Sequence, residues 1–196
     1  MKTSKEFELL SHLLFHNRST RRFRQSQRIE REELVNLIDL TRFVASGRNL
    51  QPLKYHPVVE EEVCGKIFPL LAWAGYYTDW DGPEEGERPA AYLIQCLDTS
   101  LTANPLCDEG LQLEAITLGA VALGYNCCII KAFNAPALKE VLNIPEQLTP
   151  TYVVAIGKSK ENIRLVPMNE DGDIKYFRDQ EGAHCVPKRP LDELIF

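Results

Sequence analysis

Three short segments hold the side chains best suited to chemistry. Arg18-Ser19-Thr20-Arg21-Arg22-Phe23 gathers guanidinium groups around hydroxyls. Arginine forks donate paired, charge-assisted hydrogen bonds, and with a serine beside them they suit a phosphate. The plainer reading is a solvated basic loop. Ala45-Ser46-Gly47-Arg48-Asn49-Leu50-Gln51-Pro52 combines small residues, which let a ligand approach the backbone, with carboxamides that donate and accept at once. Those are the needs of a heterocycle bearing imide and carbonyl groups, although Gly, Ser and Asn are also ordinary turn residues. Val186-Pro187-Lys188-Arg189-Pro190 sets two adjacent cations before a C-terminal helical turn, where they can clamp an anion or stand in solvent.

The remaining polar residues offer less. His12 and His16 are spaced i,i+4, but no Glu follows His12 as in the zinc-peptidase motif and no third ligand is evident. His56 and His184 stand alone in the sequence. There is no G-x-S-x-G, P-loop or G-x-G-x-x-G, and no nucleophile with a visible base partner. The chain therefore favours a cofactor that brings its own chemistry.

Bulk properties limit the classes. A chain of 196 residues suits one domain, taken here as residues 1–196, with 44% hydrophobic and 26% charged residues to build a core and a soluble surface. The net charge of -6 argues against a nucleic-acid binder, even though residues 17–31 hold six arginines against the single acid Glu30. No run reaches the length of a membrane span, and residues 1–14 lack the apolar centre of a signal peptide. The expectation is a cytosolic protein with no membrane partner. Its six cysteines contain no C-x-x-C and read as free, mostly buried thiols.

The elements that must position these segments follow from periodicity. Thr3 and Glu6 suggest a capping box ahead of an amphipathic helix over about 4–16, with Phe7, Leu10, Leu13 and Leu14 on its face. A second helix is expected over about 30–44, with Leu34, Leu37, Ile38 and Thr41 inward. Short strands are expected at 55–59, 91–97, 127–130 and 152–156, and helices at 63–74, 109–123 and 136–142. Asp108 is placed to cap the 109–123 helix and Gly124 to end it. That helix is nearly all apolar or small from Ala115 to Leu123, which predicts burial on every side. Residues 79–89 form a long Gly-, Pro- and Glu-rich loop suited to an active-site rim. Alternating strands and helices indicate an α/β or α+β class.

Taken in order, the segments resemble the nitroreductase family of flavoproteins. NRSTRRF is similar to the family's R-b-S-x-R-x-F opening, where b is basic. ASGRNLQPLKYHPV resembles its P-S-x-x-N-x-Q-P-W-x-F segment, EAITLGAVALGYNCCIIKAF its central helix and following strand, and VPKRPLDEL its basic C-terminal segment. Their order and spacing match over nearly the whole chain. Asn17 stands where the opening has Arg, Ala45 where Pro is common and Leu53 where Trp is common. Lys131 and Ala132 stand where some members have Glu-Gly, and Gly82 to Pro89 has no aligned counterpart.

The resemblance implies an α+β fold with a central, mostly antiparallel sheet flanked by helices. It also implies an intertwined homodimer with two FMN sites at the subunit interface, each lined by both chains. Arg18, Ser19 and Arg21 would then hold the phosphate and ribityl end, with Lys188 and Arg189 on the phosphate. Ser46, Gly47, Asn49 and Gln51 would lie along the flavin. Ile129, Ile130, Lys131 and Ala132 would pack on one ring face, with a backbone N–H of the last two reaching flavin N5. The implied activity is reduction of small flat electrophiles, of nitroaromatic or quinone type, with NADH or NADPH as electron donor. The alternative is an FMN-binding regulator or storage protein with little turnover.

Overall fold

The computed structural model describes residues 3–196. Its centre is an antiparallel sheet in the order β1-β2-β4-β3, formed by β1 (Leu53–Val58), β2 (Ala91–Asp98), β3 (Asn126–Ile130) and β4 (Leu148–Gly157). The inner strands β2 and β4 are nearly all apolar because both faces of the sheet are covered. Alternation divides their side chains. Tyr92, Ile94, Cys96, Val153 and Ala155 join Phe23, Ile67, Trp73 and Leu138 on one face. Ala91, Leu93, Val154 and Ile156 join Leu34, Leu37, Leu113 and Ile116 on the other. Helices α3 (Glu61–Ile67) and α5 (Ala135–Leu142) supply the first layer, and α2 (Arg31–Asp39) and α4 (Asp108–Ala122) the second. This is the α+β arrangement of a mostly antiparallel sheet flanked by helices.

The helices start and stop for local reasons, some of them different from those expected. Helix α1 (Lys5–His16) is capped by Ser4, whose hydroxyl accepts from the Phe7 N–H at 3.2 Å. Thr3 instead donates to Glu8. The box fails because the helix begins at Lys5, which puts Phe7 rather than Glu6 at the third helical position. Gly124 ends α4 as expected, at φ +74°, a conformation that costs other residues a steric clash. Asp108 is the first residue of α4 rather than its cap, and its carboxylate turns elsewhere. Nor is α4 buried on every side. Ile116 and Ala120 are fully buried, but Leu111 and Leu123 are more than 40% exposed. Helix α1 covers part of α4 and itself exposes Phe7, Leu10 and Phe15.

A second sheet follows β4, where no strand is expected from the sequence. β5 (Ile163–Pro167) runs parallel to β7 (His184–Lys188), and the two-residue β6 (Phe177–Arg178) pairs antiparallel with β7. Pro167 and Pro187 interrupt the apolar alternation by which short strands are recognised, and the partners are twenty residues or so apart.

Candidate functional site

The opening basic segment is fastened to the outer edge of β3. Ser19 bridges Cys127, and the Thr20 N–H donates to the Cys127 carbonyl at 2.9 Å. Thr20 and Phe23 turn inward and are fully buried, while Gly157 leaves room for the Phe23 ring, which a Cβ there would meet at 2.8 Å. Arg18 and Arg21 remain turned towards a cleft.

That cleft has two adjoining parts. A cavity of about 250 Å³ is lined by Asn17, Arg18, Ser19, Arg21, Tyr176, His184, Val186 and Lys188. A second, of about 240 Å³, is lined by Arg21, the 72–75 turn, Cys128, Ile129, Ile130, Lys131, Ala132 and Tyr176. Arg21 and Tyr176 belong to both and join them. The first part is cationic: Arg18, Arg21 and Lys188 line it, and no carboxylate does among the described residues. The Arg18 Nε is buried without a hydrogen-bond partner. A buried unpaired donor on a charged group costs several kcal/mol unless something accepts from it, so this end suits an anion such as a phosphate. The second part is flatter, with Trp73 and the β3 end as walls. Together they fit an anionic tail leading to a planar ring.

The third strand of the second sheet decides which C-terminal cation joins the cleft. Side chains alternate along β7, so His184, Val186 and Lys188 share the cavity face. Arg189 is exposed and pairs with Glu193 at 2.7 Å. Of the two adjacent cations, Lys188 lines the cleft and Arg189 does not.

The Ser46–Gln51 segment lies apart. It leads into β1, whereas Ile129–Ala132 lie at the end of β3, and these strands are the two opposite edges of the sheet. Three strand spacings separate them by roughly 14 Å. The segment is held by Asp108, which is 1% exposed. Its carboxylate accepts from the Ser46 hydroxyl at 2.5 Å and from the Gly47 N–H at 2.8 Å. The Ser46 oxygen also accepts from the Gln51 N–H at 2.9 Å. Arg48, Asn49 and Gln51 are all in the left-handed backbone region, with φ of 54°, 55° and 49°. Each such residue costs on the order of 1–3 kcal/mol, and the Asp108–Ser46 bonds hold them there. Asn49 and Gln51 remain exposed.

His184 was isolated in the sequence but is central in the structure. It is 2% exposed, 3.1 Å from Arg21 Nη1 through Nε2 and 2.6 Å from the Tyr77 hydroxyl through Nδ1. Glu161, whose side chain is 2% exposed, accepts from the Arg21 N–H at 2.7 Å and from Arg178 at 2.8 Å. Tyr176 stacks its ring 4.7 Å from the Arg21 guanidinium. The sequence signal for His184 was its two-residue spacing from Val186 and Lys188. Tyr77, Tyr176 and Glu161 carry no comparable local signal.

Burial pushes the His184 imidazole down from its usual 6.5 to about 4, and Arg21 and Arg178 act in the same direction against Glu161. Between these values the unfolded chain holds a proton that the folded chain excludes. Stability is therefore full above about pH 6.5 and falls as pH drops through about 4. Urea midpoints measured from pH 7 to pH 4 should fall more steeply for the wild type than for His184→Gln, which has no titrating ring.

The loop at residues 79–89 is pinned rather than hinged. Gln25 Oε1 accepts from the Gly86 and Arg88 N–H groups at 2.7 and 3.2 Å. Gly82, at φ +119°, lies against Trp73, where a Cβ would come within 2.6 Å of the indole. The start of the loop lines a further aromatic cavity of about 490 Å³ with Tyr77, Tyr176 and Arg178. No helix among the described residues is long and apolar enough to cross a membrane. Cys64, Cys96, Cys127, Cys128 and Cys185 are free and buried, and Cys107 is free and exposed.

Comparison with known proteins agrees with this architecture. Residues 100–158, from just after β2 to just past the end of β4, match the nitroreductase family model. MhqN of Bacillus subtilis (strain 168), which carries an NAD(P)H nitroreductase name, is 24% identical over 188 residues, spanning 79% of this chain and 90% of the relative. The structure of a nitroreductase family protein from Streptococcus pneumoniae TIGR4 matches 95% of this chain and 98% of its own, with a TM-score of 0.67 at 17% identity. An FMN-dependent nitroreductase from Clostridium difficile R20291 matches 86% and 97%, with a TM-score of 0.65 at 17% identity. The structures establish the fold, and the sequence match runs through its central helix and strand. The chain thus has the nitroreductase fold, and its residues 100–158 match that family's model.

Proposed function

We propose that this chain is an NAD(P)H-dependent FMN oxidoreductase that reduces small flat electrophiles of nitroaromatic or quinone type. It would act in the cytoplasm as an intertwined homodimer of single-domain subunits. The observation that carries this reading is the cleft: a cationic end at Arg18, Arg21 and Lys188, lined by no carboxylate among the described residues, continues into a flatter end at Ile129–Ala132. FMN, when bound, supplies the hydride chemistry, taking a hydride from reduced nicotinamide and passing it to the acceptor. The chain's residues bind and orient. Arg18, Arg21 and Lys188 would grip the phosphate, the Ser19 hydroxyl would add one bond, and Ile129 to Ala132 with Trp73 would hold the ring flat and exclude water from one face.

Two observations support the homodimer. Ser46, Gly47, Asn49 and Gln51 stand at the opposite sheet edge from Ile129–Ala132, so one chain alone does not bring both to one ring. Helices α1 and α4 also expose Phe7, Leu10, Phe15, Leu111 and Leu123, an apolar surface of the kind a partner covers. A second copy would cover it and bring its own Asn49 and Gln51 to the ring. The names of relatives add weight: MhqN is named for NAD(P)H, and the Clostridium difficile structure for FMN.

Anaerobic mixing of the FMN-loaded protein with NADH or NADPH tests the activity. Rapid loss of visible flavin absorption, restored by a quinone, is expected. Stable FMN uptake without bleaching would instead support a binding or storage role, and failure to take up FMN would remove both readings.

A further inference from the structure

His184 stands behind the cationic end of the cleft and offers both ring nitrogens to partners. Nε2 lies 3.1 Å from Arg21 Nη1, and Nδ1 lies 2.6 Å from the Tyr77 hydroxyl. A guanidinium only donates, and it keeps its charge in proteins. Nε2 must therefore be the lone-pair nitrogen. A neutral imidazole with that lone pair carries its proton on Nδ1, which donates to the Tyr77 oxygen.

Arg21 is thus held from several sides. Glu161 fixes its main chain at 2.7 Å, the Ser19 carbonyl accepts from the same Nη1 at 3.3 Å, and the Tyr176 ring lies 4.7 Å from the guanidinium carbon. None of these contacts places a carboxylate on the guanidinium, since Glu161 gives its other oxygen to Arg178. An acidic residue in the place of His184 would orient Arg21 equally well but would neutralise it. An imidazole orients the group and leaves its charge for a ligand.

We propose that His184, as the Nδ1–H tautomer, is a positioning residue that fixes the Arg21 guanidinium towards an ester phosphate in the adjoining cavity. The tautomer follows from the hydrogen-bond geometry alone, whereas the phosphate rests on the FMN reading above. The groups facing the ring are Arg21 from the opening segment, Tyr77 from the 75–80 turn, Tyr176 and Arg178 at β6, and Glu161 ahead of β5. Both arginines oppose a proton on the ring and Glu161 favours one. Burial settles the balance for the neutral form, so the arrangement persists down to about pH 4.

Two measurements on the full chain test this. Nitrogen-15 NMR of wild-type protein at pH 7, with and without FMN, should show His184 with Nδ1 protonated and Nε2 bare. A protonated Nε2 overturns the assignment. FMN titrations followed by flavin fluorescence should then separate three variants. His184→Gln can place its amide oxygen near the Nε2 position and should bind within about threefold of wild type. His184→Asn reaches only the Nδ1 position, and His184→Phe keeps volume without an acceptor; each should lose about tenfold, one charged hydrogen bond. Wild-type affinity in the Asn and Phe variants overturns the positioning role, as does a Gln variant no better than Phe. If the wild type itself takes up no FMN, the cofactor reading fails and the role towards phosphate falls with it. The NMR spectrum distinguishes that outcome from a wrong tautomer, because it needs no ligand and no variant.

Discussion

Replacing Arg21 and Lys188 together with Ala will weaken FMN binding by roughly a hundredfold or more and leave the fold intact. Each side chain would contribute a charge-assisted bond to phosphate, worth about 1.5–3 kcal/mol, or roughly tenfold to a hundredfold in affinity. Lys188 is exposed and Arg21 half-buried, so neither truncation opens a core cavity. The main-chain bond from Arg21 to Glu161 survives the substitution. Titration with FMN, checked against a thermal unfolding curve that stays cooperative, measures the effect, and the unfolding midpoint should drop modestly as His184 Nε2 loses its partner. Arg189→Ala serves as the contrast. Its side chain turns from the cavity to Glu193, so its loss should change affinity by less than about threefold. Equal losses at Lys188 and Arg189 would contradict the strand alternation on which this rests.

Asp108→Ala should destabilise the protein by about 2–4 kcal/mol, because the Ser46 hydroxyl and the Gly47 N–H both lose a buried acceptor. The larger consequence is local. Arg48, Asn49 and Gln51 hold left-handed backbone angles only while the Asp108–Ser46–Gln51 chain of bonds is intact. Without it the segment should relax, and hydrogen exchange at the Gly47 and Gln51 amides should accelerate well beyond that of β2. FMN affinity should fall as well if Asn49 and Gln51 reach a partner's flavin. Asp108→Asn keeps one acceptor and should lie between. Unchanged exchange at both amides in the Ala variant would show that Asp108 is not what orders the segment.

The legible parts of this sequence were those whose signals are local. Helix α2 announces itself by Leu34 and Leu37, both buried, and the core strand β2 by a run that is apolar but for Gln95 from Ala91 to Leu97. The arginines and the serine of the opening segment declare an affinity for anions by chemistry alone. What stayed hidden depends on partners distant in the chain. Asp108 looks like a helix cap until Ser46, 62 residues earlier, is brought beside it. His184 looks isolated until Arg21 arrives from 163 residues away. Which of Lys188 and Arg189 faces the cleft depends on β7, whose pairing with β5 and β6 no alternation pattern revealed. The exposed side of α4 was hidden for the opposite reason. Its apolar composition predicts burial, but within one chain nothing covers Leu111 and Leu123.

That uncovered face leads to the central claim, that two chains build each FMN site from opposite sheet edges. Sedimentation of the FMN-loaded protein, recorded at the flavin's visible absorption and followed through dilution, tests it most directly. Flavin should travel only with a species of twice the chain mass, at one FMN per chain, and be released as that species dissociates. Flavin that remains bound to a single chain after dilution would contradict it.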